Sequence, residues 1–510
     1  MCLARSSGHL HHHGRVLPPS FEQIVFDVLL VRTEHIGYKQ LTASACHSSI
    51  EYIRTEKCKN RLFIRAEKCN FASIVRANKC NMERNVLSQL IEWKHKPNRK
   101  PLILNGARQV GKTYILKEFG RTQYKDTAYI NCDNNAVVNK IFSQDYDTRR
   151  ILLSLSAVTH VNIKPHETLI ILDEIQENPL ALNSLKYFCE NAPEYHIAVA
   201  GSLLGISLHN DTSFPVGKVD VIKMYPMTFD EFLMAVGEKQ MVSILRSQDF
   251  SLIDTFGSKL TDCLRQYYFT GGMPAVVNEY ARSYNIGEVR DIQKQILFGY
   301  RRDFSKHAPA SQVPRINQVW DSILSQLAKD NKKFIYGAVK KGARASEFEI
   351  AIQWLIDAGL VYRINRVTSP TMPLKFYEDF SAFKLFTLDV GLMGAMVGTP
   401  PEDILIGESC FSEYKGAFTE LFVLTQIMPQ DIPVYYYSAN DSRVEIDFII
   451  QKGGRIIPVE VKAEVNVHSK SLRTYIDKHP RLTGMRLSML PYKDQGWMVN
   501  KPLYAVGFCL

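Results

Sequence analysis

"KPLILNGARQVGKTYILKEFG", residues 100–120, sets a strand, a loop and a helix in one line. Pro101–Leu104 reads as a short apolar strand, and Tyr114–Phe119 continues as a helix that Gly120 is placed to end. Between them lies Gly106-x-x-x-x-Gly111-Lys112-Thr113. Glycine at both ends lets backbone N–H groups wrap an anion with no Cβ in the way, and the following helix start adds the positive end of its dipole. The spacing therefore predicts a phosphate cradle made of Gly106, Ala107, Arg108, Gln109, Val110, Gly111, Lys112, Thr113 and Tyr114. Lys112 would reach the terminal phosphates of ATP, and the Thr113 hydroxyl would hold Mg²⁺.

Such a loop needs a second anchor for the ion. "TLIILDEIQENP", residues 168–179, supplies it: an all-apolar strand ends at Asp173 and Glu174. Asp173 would hold Mg²⁺ through water, and Glu174 would polarise the water that attacks the γ-phosphate. A further apolar strand, "HIAVAGS", ends at Ser202. Ser202 would either sense the γ-phosphate or cap the next turn. Strands alternating with helices predict an α/β fold with a parallel sheet and ligands at the carboxyl ends of the strands.

These parts resemble the AAA+-like ATPases. "LDEIQ", "AGSLLG", "FPVGKVDVIKMYPMTFDEFL" and "TGGMPAVV" stand here in the order found in a prokaryotic family of predicted ATPases. That family joins an AAA-type domain to an uncharacterised C-terminal domain, and the resemblance spans residues 82–510. It implies an ATP-binding, ATP-hydrolysing fold. Many members have Gly-Arg where this chain has Gly217-Lys218. Lys218 keeps the charge and loses the bidentate fork, so it is a candidate γ-phosphate contact of reduced strength. Arg301 and Arg302 in "GYRRDF" are comparable candidates.

A chain of 510 residues predicts about three domains. No apolar run reaches the roughly 18 residues that span a bilayer, and the start lacks a signal-peptide core. The expectation is a cytoplasmic protein with no membrane partner. The net charge of +10 points toward nucleic acid, but +6 of it lies in residues 1–81, where 12 Lys and Arg face 6 Asp and Glu. Five of the ten cysteines fall there too, and no C-x-x-C pair exists anywhere in the chain, so a zinc site is not expected. That leader holds "RTEKCK", "RAEKCN" and "RANKCN" at Arg54, Arg65 and Arg76, a period of 11. Near-identical repeats of this kind read as a translated tandem DNA repeat. Residues 1–81 are thus expected to be a non-native or disordered leader, with Met82 opening an amphipathic helix through Val86, Leu87, Leu90 and Ile91.

Residues 82–234 form the expected ATPase domain and 235–310 a helical lid, broken at "TGGMP" by a turn or hinge. Residues 311–400 read as a winged-helix-like segment. One helix has Val319, Ile323 and Leu327 inward, and a second has Ile350, Trp354 and Leu355 inward. A basic stretch between them, "KDNKKFIYGAVKKGARAS", would either touch phosphate or face water.

Residues 401–510 hold "SRVEIDFIIQKGGRIIPVEVKAEV", two strands around a Lys452-Gly453-Gly454 turn. Period-2 alternation sets Glu445 and Asp447 on one side of the first strand and Glu460 and Lys462 on one side of the second. Glu420 sits upstream in an apolar helix. The order resembles a restriction-endonuclease-type core of the PD-(D/E)xK kind. The resemblance implies that Asp447, Glu460 and Glu420 hold Mg²⁺ and that Lys462 orients water. The alternative is an amphipathic hairpin with polar residues in water. Three functions follow. One couples ATP turnover to a nuclease-like module acting on DNA; another is an ATP-dependent protein-interaction switch with an inert nuclease-like domain; the third is a nuclease for which ATP acts only as a licence for cleavage. Self-association is left open.

Overall fold

The computed structural model describes residues 82–202, 214–329, 332–406, 412–439, 444–463 and 468–510. The leader, with its repeats and cysteines, lies outside the described residues. Those described all belong to one unit, residues 78–510.

Short apolar runs build the first sheet. Its strands are β1 (Leu102–Asn105), β2 (Asp126–Asn131), β3 (Thr168–Asp173), β4 (His196–Gly201) and β5 (Asp220–Lys223). They lie in the order β2-β3-β4-β1-β5, with every pairing parallel. Each residue of β3 and β4 is buried, as a sheet covered on both faces requires. Parallel strands share one carboxyl edge, so the segments after β1, β3 and β4 open side by side there.

The helix after β1 runs from Lys112 to Gln123, straight through Gly120. Gly120 does not end the helix, as its type suggested. It is buried where the helix crosses β2, and a Cβ there would lie 2.4 Å from Thr127 Oγ1. The glycine serves close approach.

Six helices fill residues 229–307. The break at "TGGMP" is a pinned turn. Gly271 has φ +69°, the buried Asp389 carboxylate accepts from Gly272 N at 2.6 Å, and a Cβ on Gly272 would lie 2.1 Å from the Met227 carbonyl oxygen.

Helix Val313–Leu327 buries Val319, Ile323 and Leu327. Helix Ala345–Asp357 buries Trp354 and Leu355, but Ile350 is 59% exposed. The inward stripe is Phe348, Ala351, Ile352 and Leu355, the i, i+3, i+4, i+7 face, and Ile350 lies off it.

The strands of the two expected C-terminal segments form one sheet. β6 (Val361–Val367) and β7 (Glu378–Thr387) pair antiparallel. They join β8 (Val434–Ser438), β9 (Glu445–Lys452), β10 (Arg455–Val461), β11 (Gly484–Ser488), β12 (Lys493–Asp494) and β13 (Met498–Pro502). The order is β12-β13-β11-β10-β9-β8-β6-β7, so the sheet crosses the boundary expected at residue 400. β9 and β10 form the expected hairpin, with Gly453 and Gly454 at φ +56° and +72°, the positive values a two-residue turn of this kind needs.

One apolar core unites the two sheets. It runs from Leu102 and Leu104 of β1 through Phe232 and Tyr267 to Phe422 and Phe448. The Phe422 ring lies 6.0 Å from Phe229 and 5.7 Å from Tyr267, edge-on to both, an arrangement aromatic quadrupoles favour.

Gly120→Val should lower stability by about 1–3 kcal/mol through overpacking against Thr127. Thr127→Ala in the same chain should recover part of the loss. Denaturant midpoints of the single and double variants would check both.

Candidate functional site

The loop after β1 curls as its glycines allow. Gly111 has φ +96° and Gln109 φ +68°. Gly106 lies under the chain that leaves β5, where a Cβ would be 2.3 Å from the Met224 carbonyl oxygen. Lys112, 7% exposed, donates to the carbonyls of Gly106 and Ala107 at 2.8 Å each. Its ammonium therefore lies within the loop, where phosphate oxygens would meet it. Burial lowers its pKa to about 8, opposed by the nearby charges of Glu174 and Asp173.

Thr113 Oγ1 donates to Asp173 Oδ2 at 2.8 Å. This brings the two expected Mg²⁺ anchors together from β3 and the helix after β1. Tyr129 on β2 donates to the same oxygen at 2.9 Å. Glu174 has φ +51°, an uncommon conformation for a non-glycine residue. Its Oε2 accepts from Gln176 Nε2 at 2.6 Å and from Ser202 Oγ at 3.3 Å. Ser202, at the end of β4, thus aims at the acid expected to polarise water. Tyr129 and Gln176 escaped sequence reading. Tyr129 is an ordinary strand residue by type, and only the pairing of β2 with β3 brings it to Asp173.

Lys218 forms a surface pair with Glu190 at 2.8 Å. Arg301 pairs with Asp321 at 2.5 Å, and Arg302 lies over the Phe298 ring. These contacts are with residues outside the phosphate loop. The loop is instead held by other residues. Arg108 pairs with Asp303, and Tyr300 donates to the Arg108 carbonyl at 3.0 Å. Ala107 lies beneath Gly359, where a Cβ would be 3.2 Å from Ala107 N. The buried Arg84 donates to the carbonyls of Val110 at 2.9 Å and Tyr225 at 2.7 Å. Beside the loop, Met82, Arg84, Gly111, Tyr114, Pro274, Ala275 and Asn278 line a pocket of about 220 Å³.

In the C-terminal sheet, Phe448 pairs with Val459. One step further along the antiparallel register sets Asp447 opposite Glu460, the relation that puts two side chains on one face. Val461 N donates to Asp447 Oδ2 at 2.8 Å. Glu420 and Glu460 are both 4% exposed. Lysines stand among these acids. Lys332 pairs with Glu420, Lys384 lies 2.5 Å from Glu445, and Lys462 lies 3.0 Å from Glu460. Lys332 comes from the stretch expected to touch phosphate or face water, and it is half-buried against the buried Glu420. Among the described residues, no group of three or more His, Cys, Asp or Glu side chains could hold a metal ion. Lysines interleave with the three expected ligands.

Burial, then the charge of Glu420, raises the Asp447 pKa to about 7. Burial would raise Glu420 as well, but the ammonium groups of Lys332 and Lys384 outweigh it and hold Glu420 below the usual range. Lys332, Lys384 and Lys462 thus each face one of Glu420, Glu445 and Glu460.

A five-stranded parallel sheet, a glycine-bounded loop, a buried lysine and a Thr–Asp pair at the strand ends define a P-loop ATPase domain. Residues 98–233 match the model of a family described as an AAA domain. Residues 261–403 and 415–496 match two domains of unknown function, DUF8612 and DUF4143. No curated protein matches the chain. Solved structures with similar folds include a Walker-type ATPase of Pyrococcus abyssi, 14% identical, covering 62% of this chain and 96% of that one at a TM-score of 0.41. The Orc1 protein of Aeropyrum pernix in complex with DNA is 14% identical, covering 64% and 92% at 0.24. Cdc6p of Pyrobaculum aerophilum is 12% identical, covering 68% and 97% at 0.21. Overlaps at these scores carry no functional argument. Among the described residues, no helix is long and apolar enough to cross a membrane.

Lys112 gives a pH test. Phosphate oxygens favour the charged lysine, so binding takes up a proton wherever the free site is neutral. Nucleotide affinity should hold below pH 8 and weaken by up to about tenfold per pH unit above it. Calorimetry in buffers of different ionisation heat should detect that proton uptake.

Asp447 gives a second one. Its folded pKa is raised, so the native state binds the extra proton between about pH 4 and 7, and stability falls as pH rises through that window. Asp447→Asn should flatten this slope and gain on the parent at pH 8, as unfolding midpoints across that range would show.

Proposed function

We propose that this protein binds and hydrolyses Mg²⁺-ATP and passes the nucleotide state to a C-terminal half that binds a partner rather than cutting one. The observation that carries the first part is the convergence of Lys112, Thr113–Asp173 and Glu174–Ser202 on one sheet edge. Thr113 and Asp173 would hold Mg²⁺, whose charge would offset that developing on the phosphates. Lys112 and the loop amides would hold the β- and γ-phosphates, and Tyr114, Pro274 and Asn278 would flank the base. Glu174, oriented by Gln176 and Ser202, would take the proton from water.

Coupling is supported by what grips the loop. Arg108 meets Asp303 and Tyr300 on the helix Ile286–His307, and Ala107 meets Gly359 just before β6. A loop that rearranges around phosphate must move against those contacts.

The binding reading of the C-terminal half is supported by the lysines at its acids. Lys332 and Lys462 already occupy the Oε1 atoms of Glu420 and Glu460. The rival reading, a nuclease site, draws on the buried Oε2 atoms of Glu420 and Glu460, which have no hydrogen-bond partner.

Lys112→Ala should abolish tight ATP binding. Glu174→Gln should keep binding and lower turnover by about 10²–10⁴-fold. Phosphate release and nucleotide titration would separate the two, and normal turnover by the Glu174 variant would reject its role. Supercoiled plasmid should stay intact with Mg²⁺ or Mn²⁺. Nicking that Asp447→Asn removes would instead establish the nuclease.

A further inference from the structure

A cleft of about 1350 Å³ lies away from both sites, around the turn of the β9–β10 hairpin. Its lining includes Lys452, Arg455, Lys478, Arg481 and Lys501, and no Asp or Glu side chain. The cations come from separate elements: the hairpin turn, the end of helix Lys470–Lys478, the segment after it, and β13. Among the described residues, Arg455, Lys478 and Arg481 are exposed and form no ion pair within 4.0 Å. Lys452 donates to the terminal carboxylate of Leu510 at 2.8 Å, and Lys501 donates to the Cys509 carbonyl, so one carboxylate stands against the five cations.

Five cations against one terminal carboxylate around one open cleft, in a body of otherwise nearly balanced charge, make a local field that selects an anion. We propose that this cleft binds the sugar–phosphate backbone of a nucleic acid. An acidic peptide is the competing anion, and the geometry is against it. A peptide that docks as an added strand needs an unpaired strand edge. The strands lining this cleft, β10, β11 and β13, are each paired on both sides, so they offer no ladder. Point charges on several elements instead suit a polymer with one phosphate per residue and no side-chain register.

Two consequences follow from position. Asp447 lies near the far end of β9 from the Gly453–Gly454 turn, about 20 Å along an extended strand, so a strand held in the cleft is not delivered to the lysine-paired acids. Gln248, just after helix Lys239–Ser247, lines the same cleft and donates to the Phe508 carbonyl at 2.7 Å. The helical segment that follows the ATPase sheet therefore forms part of the cleft wall. This inference rests on the binding-module reading for its link to ATP, whereas binding itself is measured without nucleotide. Loss of one therefore does not imply loss of the other.

The test uses the full chain and a fluorescein-labelled DNA of about 20 nucleotides, longer than a single-strand site of this size needs, both single-stranded and as a duplex. Anisotropy is followed across about 50–200 mM salt, with a labelled polyglutamate peptide as competitor. Binding should weaken steeply with salt and show little sequence preference. Lys452→Glu/Arg455→Glu and Lys478→Glu/Arg481→Glu should each flatten the log–log salt slope by about 2, with basal ATP turnover unchanged. Unaltered DNA binding in both double variants overturns the assignment. So does an absence of binding to either DNA at the lowest salt. Polyglutamate binding more tightly than DNA, with loss in the same variants, reassigns the cleft to acidic peptides.

Discussion

Ala107 beneath Gly359 is the contact on which the arrangement turns. A backbone that must wrap phosphate is pressed against a residue that ends a helix from the other half of the chain. A Cβ on Gly359 would sit 3.2 Å from Ala107 N, and Gly359 has φ +72°, so glycine is required there twice, for space and for conformation. Arg108 and Tyr300 hold the next residue of the loop from a second direction. The nucleotide site is therefore walled by Tyr300 and Asp303, about 80 residues beyond the ATPase sheet, and by Gly359, about 136 beyond it. Any change of loop shape is felt first by the helix Ile286–His307 and by the start of β6.

The ATPase half was largely legible in the sequence because its signals are local. Glycine spacing, an apolar strand ending in Asp173-Glu174, and a third strand ending at Ser202 each lie within a dozen residues. The structure brings Thr113 to Asp173 and Ser202 to Glu174. Gly120 misled because a glycine near a helix end can mark a stop or a close approach, and Thr127 decides between them from across a strand. Ile350 misled because one apolar residue was assigned to the wrong side of a short amphipathic pattern.

The C-terminal half was less legible, for a physical reason. Its acids are neutralised by lysines distant in sequence: Lys332 precedes Glu420 by 88 residues, and Lys384 reaches Glu445 from a strand three places away in the sheet. Alternation along β9 and β10 places carboxylates on a face. It says nothing of the cations that share that face. The two arrangements of charge, acids around a metal and acids around lysines, share the same short motif, and only long-range pairing separates them.

The shared sheet also bears on how such a chain can have arisen. β6 and β7 precede residue 400, yet they close the edge of a sheet whose other six strands follow it. A genetic crossover at that point would leave β8 with a bare edge in one product and an orphaned hairpin in the other. The segments on either side of residue 400 are thus inherited together, and recombination that preserves folding must fall elsewhere along the chain.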